Sequence, residues 1–189
     1  MGTVVSDGVG QETPEEVAAL CRRFQGGCAE ALDKLYRIFD RPLYRWLRFL
    51  TRDTQKAADL AQDVWLRVIR KKYSLKDPYK FKAWLYRIAQ REVFMIARHP
   101  EPRESLPHEA LNADEGSLSL LIQEEDRHQV LAALKELPPV AQAVLWLAVV
   151  EEYSHREIGQ ILGIPEGTAR SRLHYSLKRL RQAVPGGSQ

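Results

Sequence analysis

Apolar residues recur along most of this chain at intervals of three and four, the period of helices that bury one stripe. Val17, Leu20, Cys21 and Phe24 form the first stripe. Thr13, Pro14, Glu15 and Glu16 precede it, reading as an N-cap, a proline in the first helical position and acids in the first turn. Gly26-Gly27 stops this helix. Ala31, Leu32, Leu35 and Phe39 predict the next one, and Leu43, Trp46, Leu47 and Leu50 a further stretch after Pro42. A long helix is expected from about Thr54 to Lys71, with Ala61, Val64, Trp65 and Val68 inward. Asp77-Pro78 restarts a helix, with Asp as cap and Pro at its start. Phe81, Trp84, Leu85 and Ile88 form its apolar face. No run alternates strictly between apolar and polar, so no sheet is expected, and no internal repeat is present.

Residues 99–116 break the period with three prolines and five acids, the mark of a linker. Helical spacing resumes by Leu118–Ile122 and runs through Val130, Leu134 and Leu137 to Pro138-Pro139. Ser154-His155-Arg156-Glu157 then reads as a capping box, with the Ser hydroxyl and the Glu carboxylate each reaching the other's backbone N–H. Ile158, Ile161 and Leu162 face inward behind it. Gly163 suits the left-handed residue that ends a helix, and Pro165 suits the first turn of the next. Ala169, Leu173, Leu177 and Leu180 line the core side of that second helix, completing a helix-turn-helix. The expected architecture is all-α. A flexible stretch over 1–13 precedes a helical domain over 14–98. A flexible acidic linker over 99–126 joins it to a helix-turn-helix domain over 127–184.

Composition bounds the class. The chain has 189 residues, 44% hydrophobic and 28% charged, an ordinary globular mixture that excludes wholesale disorder. The longest apolar run, Ala141 to Val150, is broken by Gln142 and falls far short of the roughly 20 residues a membrane helix needs. The N-terminus lacks the charged and apolar regions of a secretory signal. Cys21 and Cys28 are too few for a disulfide scaffold or a four-ligand zinc site. They are read as buried reduced thiols, with a redox pair as the alternative. A reducing cytoplasm follows as the expected compartment.

Charge sharpens the picture. Residues 1–98 hold 19 Lys/Arg and 12 Asp/Glu, residues 99–126 one and eight, and residues 127–189 eight and five. Two basic segments thus flank an acidic one, the layout of two polyanion-binding modules joined by a tether that repels polyanions. Chance surface charge is the bland alternative.

Three patches carry candidate chemistry. From Ile164 to Arg181 there are five Lys/Arg and one Glu. Arg170, His174 and Lys178 are spaced by four, with Ser171 and Tyr175 alongside, as a recognition helix in a major groove requires. A merely solvated basic helix is the alternative. From Arg67 to Arg98 ten Lys/Arg stand against two acids, interleaved with Tyr73, Tyr79, Phe81, Trp84 and Tyr86. Cations that follow phosphates and rings that stack on bases suit single-stranded DNA, although Phe81 and Trp84 sit on the apolar stripe and are assigned to the core. Finally, Asp59, Gln62, Asp63 and Leu66 fall on the face opposite Ala61, Val64, Trp65 and Val68. An apolar Leu on a polar face suggests partner contact.

Leu137-Pro138-Pro139, followed by the string from Tyr153 to Leu173, resembles region four of bacterial sigma factors of the extracytoplasmic-function class. Its pattern there is LPP, a spacer, then S-x-x-E-I-A-x-I-L-G-I-P-x-G-T-V-K-S-R-L. Ala57 to Val68 is similar to that family's region two, with its D-L-x-Q-[DE]-x-[FW]-L-R-V core. The resemblance implies a non-catalytic initiation factor that binds core RNA polymerase and promoter DNA, with no cofactor and no metal, and an anti-sigma factor as a further partner. Asp59, Leu60, Gln62, Asp63 and Leu66 would grip a coiled coil of the polymerase. Lys72, Tyr73, Lys80, Arg87, Arg91 and Arg98 would serve the minus-ten element, and the loop Lys72–Tyr79 would receive a flipped base. In the minus-thirty-five element, Arg170, Ser171, His174 and Tyr175 would meet base edges and nearby backbone. Thr168, Arg172 and Lys178 would meet phosphates. The acidic linker would avoid duplex DNA and suit a basic polymerase channel, or act as a plain tether.

One segment departs from the family. Its usual R-I-A-R-N-x-x-x-D-x-x-R reads here Arg87-Ile88-Ala89-Gln90-Arg91-Glu92-Val93-Phe94-Met95-Ile96-Ala97-Arg98. Arg91 replaces an Asn and Met95 an Asp, removing groups suited to discriminate bases and adding phosphate attraction. An atypical or more permissive minus-ten preference is expected. The competing reading is a one-component regulator whose helix-turn-helix only resembles the sigma type, with residues 1–98 as effector domain. An enzyme is disfavoured, because no Gly-rich phosphate loop or nucleophile–base set is present and His99, His108, His128, His155 and His174 lack ligand spacing.

Overall fold

The computed structural model describes the backbone of residues 12–98 and 124–183, and the side chains of 12–95 and 129–183. These residues are helical throughout apart from turns and caps, with no strand among them. They divide into two compact units, one on either side of residues 99–123.

The first unit holds four helices, α1 (Pro14–Gln25), α2 (Ala29–Thr51), α3 (Thr54–Arg70) and α4 (Phe81–Arg98). Two short 3-10 turns, Lys72–Ser74 and Pro78–Lys80, lie between α3 and α4. Thr13 caps α1 as the sequence predicts, whereas Asp77 caps the 3-10 turn Pro78–Lys80, and α4 begins at Phe81 rather than at the expected Pro78. Thr13 and Glu16 close a capping box ahead of Pro14. Asp53 accepts from the Lys56 N–H at 3.0 Å, and Asp77 from the Tyr79 N–H at 3.1 Å. Helix α2 packs on α1, α3 and α4.

Pro42 does not divide α2. The helix runs through it for 23 residues, although proline removes one backbone donor and crowds the preceding turn. Leu35, Phe39, Leu43, Trp46 and Leu47 are all buried on one continuous face. Burying such side chains contributes about 1.5–3 kcal/mol each, which exceeds the proline penalty and carries the helix across it. Phe39 meets Phe81 with ring centroids 5.2 Å apart, and Trp46 meets Tyr86 edge-on at 4.9 Å.

The second unit holds α5 (Glu124–Glu136), α6 (Pro139–Val149), α7 (His155–Leu162) and α8 (Glu166–Gln182). The last three residues of the expected linker, Glu124–Asp126, open α5 instead; acids in a first turn suit the positive end of a helix. The resumption expected at Leu118–Ile122 lies outside the described residues. Helix α6 is buried on nearly every side, from Ala141 to Leu147, so it has no polar face for periodicity to reveal. Its one interior polar side chain, Gln142, donates to the Leu137 carbonyl at 2.7 Å.

The turn between α7 and α8 is as expected in kind. Gly163 ends α7 at φ 66°, and its N–H donates to the Gly159 carbonyl. Pro165 stands at the N-cap of α8, one position ahead of its expected place. A Cβ on Gly159 would lie 2.7 Å from the Ile164 carbonyl oxygen, so the turn closes against α7 more tightly than a side chain there would permit. Ala169 is fully buried on the inner side of α8, whereas Leu173, Leu177 and Leu180 are only half-buried. Ser176 completes the interior, fully buried with its hydroxyl donating to the Arg172 carbonyl at 2.8 Å.

Candidate polymerase and nucleic-acid interfaces

On α3 the inward face sets the outward one. Trp65 is buried, donates from its indole to Asp40 at 3.0 Å, and packs against Tyr36 at 5.1 Å. That anchor fixes the rotation of the helix. Asp59, Gln62, Asp63 and Leu66 are consequently exposed together. Leu60 is not among them. It is 3% exposed and belongs to the core, so its side chain is no surface contact. The apolar component of the face is instead doubled by Ile69, exposed one turn beyond Leu66. Two exposed aliphatics stand among carboxylates and an amide, so this outer face is amphipathic.

Between α3 and α4 the chain presents aromatics and cations. Tyr73 is 70% exposed and Tyr79 55%. Trp84 is half-buried, its indole donating to the Ser74 hydroxyl at 3.2 Å. Phe81 is fully buried, as its place on the stripe predicts. Arg67, Lys71, Ser74, Trp84, Arg87 and Arg91 line a cavity of ≈ 180 Å³. Its single carboxylate is Glu92, 7% exposed and paired with Arg67 at 2.7 Å. Arg87, Arg91 and Lys80 are exposed, whereas Met95, where the family pattern has a carboxylate, is 54% exposed with no polar group to offer. The Arg98 side chain lies outside the described residues. Lys72 differs from expectation. It is half-buried and turned onto α1, its ammonium 3.5 Å from the Phe24 carbonyl oxygen and 5.0 Å from the Tyr73 ring.

In the second unit the capping box is formed in full. The Glu157 N–H donates to the Ser154 hydroxyl at 3.3 Å, and the Ser154 N–H donates to the Glu157 carboxylate at 2.9 Å. The Ser154 hydroxyl donates to the same carboxylate at 2.6 Å. These bonds hold the Glu157 carboxyl below its ordinary range, the hydroxyl contributing most. Helix α8 so oriented exposes Arg170, Ser171, His174, Tyr175 and Lys178 on one side. Thr168 and Arg172 are half-buried at its margin. Arg170 is partnered by Glu166 at 3.1 Å, an exposed pair that a phosphate or base edge can displace at small cost.

Residues 127–180 match the model for Sigma-70, region 4, and residues 35–99 the model for Sigma-70 region 2. The RNA polymerase sigma factor CarQ of Myxococcus xanthus is 30% identical over 86% of this chain and 94% of its own length. The chain belongs to the extracytoplasmic-function sigma factors. Among this family, the ECF RNA polymerase sigma factor SigE of Mycolicibacterium smegmatis is 31% identical over 79% of this chain, which spans 60% of SigE. Two solved structures share the fold. CnrH, in complex with the cytosolic domain of CnrY, superposes with a TM-score of 0.65, covering 88% of this chain and 95% of that one at 18% identity. RpoE of Bartonella quintana, in complex with the anti-sigma factor NepR, gives 0.62 over 80% and 94% at 20% identity.

For this sigma factor, sequence reasoning missed three features of the sites. Ile69 falls between the two stripes of α3 and was assigned to neither. Glu92 has no opposite charge three or four residues away on its own helix, and only the fold brings Arg67 to it. Cys28 is half-buried at the N-cap of α2 rather than a buried thiol, and the Ala31 N–H lowers its pKa. Cys21 meets the expectation: it is free and buried, and burial pushes its thiol up to about 12. Among the described residues no helix is long and apolar enough to cross a membrane, and no cluster of His, Cys, Asp and Glu could hold a metal.

Proposed function

We propose that this sigma factor docks on core RNA polymerase through the outer face of α3, and that the two basic surfaces divide the promoter between them. Asp59, Gln62, Asp63, Leu66 and Ile69 form the docking face, with charge for steering and aliphatics for burial. The loop from Lys72 to Tyr79 receives an unpaired base of the minus-ten element, with Tyr73 as stacking platform and Lys80, Arg87, Arg91 and Arg98 attracting the flanking phosphates. On α8, Arg170, Ser171, His174 and Tyr175 meet base edges and nearby backbone of the minus-thirty-five element, and Thr168, Arg172 and Lys178 meet its phosphates. The supporting observation is the joint exposure of Asp59, Gln62, Asp63, Leu66 and Ile69 on α3, and of Arg170, Ser171, His174, Tyr175 and Lys178 on α8, each set presented by a helix whose opposite face is buried. The acidic segment preceding α5 serves as a tether that does not compete for DNA, and the cytoplasm is where the factor acts. As CnrH and RpoE are each held by a partner in their complexes, an anti-sigma protein masking one of these surfaces is the expected regulator.

Arg91 and Met95 relax minus-ten selectivity, since a guanidinium attracts any phosphate and a thioether reads no base edge. In vitro transcription with core polymerase across a randomised promoter library tests both halves of the reading. Initiation is expected to depend on a defined upstream element and a degenerate downstream one. Asp59→Lys with Asp63→Lys should abolish assembly with core polymerase while leaving the helical fold intact, because both residues are exposed. Unchanged assembly with the double charge reversal, or selection of a stringent downstream motif, overturns the corresponding half.

A further inference from the structure

We propose that Gln25 is a positioning residue for promoter opening, fastening the loop from Lys72 to Tyr79 onto α1 in the shape that receives an unpaired base. The proposal rests on the reading of that loop as the capture site. Gln25 is the last residue of α1, and its amide nitrogen donates to two backbone carbonyls of the distant loop, Lys72 at 2.9 Å and Leu75 at 2.8 Å. Both amide hydrogens are thereby committed. The two acceptors bracket a 3-10 turn of three residues, which is closed only by a long bond of 3.4 Å from the Leu75 N–H to the Lys72 carbonyl.

The rest of the same helical turn reinforces the grip. Lys72 places its ammonium 3.5 Å from the Phe24 carbonyl oxygen, at the end of α1 where the helix dipole favours a cation. That ammonium also lies 5.7 Å from the Phe24 ring and 5.0 Å from the Tyr73 ring. At the far end of the loop, the Arg22 guanidinium stands over the Tyr79 ring at 5.7 Å. Three residues of one turn, Arg22, Phe24 and Gln25, therefore hold the loop at both ends, while Tyr73 and Tyr79 remain more than half exposed. In the loop between these anchors only Leu75 enters the core. A loop with so little apolar anchorage samples many shapes unless its backbone is tied. Tying it in advance removes the ordering cost from the moment of base capture.

The test compares holoenzymes carrying the native chain, Gln25→Met or Tyr73→Ala. Met keeps the length of the side chain and removes both donors. Opening is followed with 2-aminopurine in the non-template strand, on duplex promoter and on the same promoter pre-melted by a mismatched bubble. Gln25→Met is expected to slow opening of the duplex roughly tenfold, the loss of two neutral hydrogen bonds, and to approach the native rate on the bubble, where no complementary strand competes. Affinity for core polymerase should not change. Amide exchange should quicken at Lys72–Leu75 and stay slow in α2 and α3, which separates a loosened loop from a misfolded unit. Native opening rates with Gln25→Met, or an equal deficit on both templates, overturn the proposal. A deficit with Tyr73→Ala but none with Gln25→Met refutes the clamp and leaves the loop as capture site; no deficit with either refutes the capture reading itself.

Discussion

Removing Arg67 should destabilise the first unit far more than removing Arg67 and Glu92 together. The two side chains join α3 to α4 at 2.7 Å, with Glu92 9% and Arg67 37% exposed at the side chain. A carboxylate that deep is costly to desolvate, and a guanidinium at hydrogen-bond distance offsets the cost. Arg67→Met strands the charge. Breaking a fully buried pair costs about 3–5 kcal/mol, and partial access of water past the position of Arg67 lowers this to about 2–3 kcal/mol. Glu92→Gln keeps an acceptor and should cost about 1 kcal/mol. With both changed, no buried charge remains, and the double variant should recover most of the loss, giving a coupling of about 1.5 kcal/mol or more. Urea unfolding followed by tryptophan fluorescence measures this in a Trp146→Phe background. Trp46, Trp65 and Trp84 then report on the first unit alone. A coupling under about 0.5 kcal/mol would show the pair to be as dispensable as an exposed one and would refute the reasoning.

Three further outcomes are expected. Ser154→Ala removes the capping box and should cost the second unit about 1 kcal/mol in thermal unfolding. Because the Glu157 carboxyl is held below its ordinary range, the contribution of its charge is present at neutral pH and is lost as pH falls through the lowered value; the stability of Ser154→Ala should show a smaller acid-side decline, and an identical decline would count against the assignment. Gly159→Val drives a branched side chain into the Ile164 carbonyl, 2.7 Å from even a Cβ, and should cost about 1–3 kcal/mol, seen as lost thermal stability of the helix-turn-helix; an unchanged melting profile would contradict the close approach. Lys178→Ala should weaken upstream-element binding evenly across sequences and lower the salt slope by about 1, whereas Arg170→Ala should also relax base preference. Fluorescence anisotropy of the holoenzyme on matched and mismatched upstream elements separates the two.

Much of this was legible before any coordinate. Caps are local chemistry, so Thr13 and Ser154 mark the starts of their helices, whereas Asp77 marks a 3-10 turn ahead of α4. Wherever a helix is half-buried, its stripe names both its core and its outer face, as on α3. Legibility failed where that premise failed. Helix α6 is buried on almost every side and shows no stripe, and Pro42 reads locally as a break although α2 passes through it. Leu60 illustrates a finer error. Its neighbours Asp59 and Gln62 are exposed, yet the arc of α3 covered by α2 and α4 is wide enough to take it in.

Local spacing in the sequence by itself determined the helical class, the helix-turn-helix and the exposed cations of α8, because each depends on residues within about four positions of one another, and charge summed over long segments marked two basic stretches about an acidic one. Tertiary structure alone decided what touches across long intervals: Gln25 against Lys72 and Leu75, Arg67 against Glu92, Lys72 turned onto α1. Those pairings are set by how helices pack, and packing depends on the summed burial of whole faces rather than on any neighbouring residue.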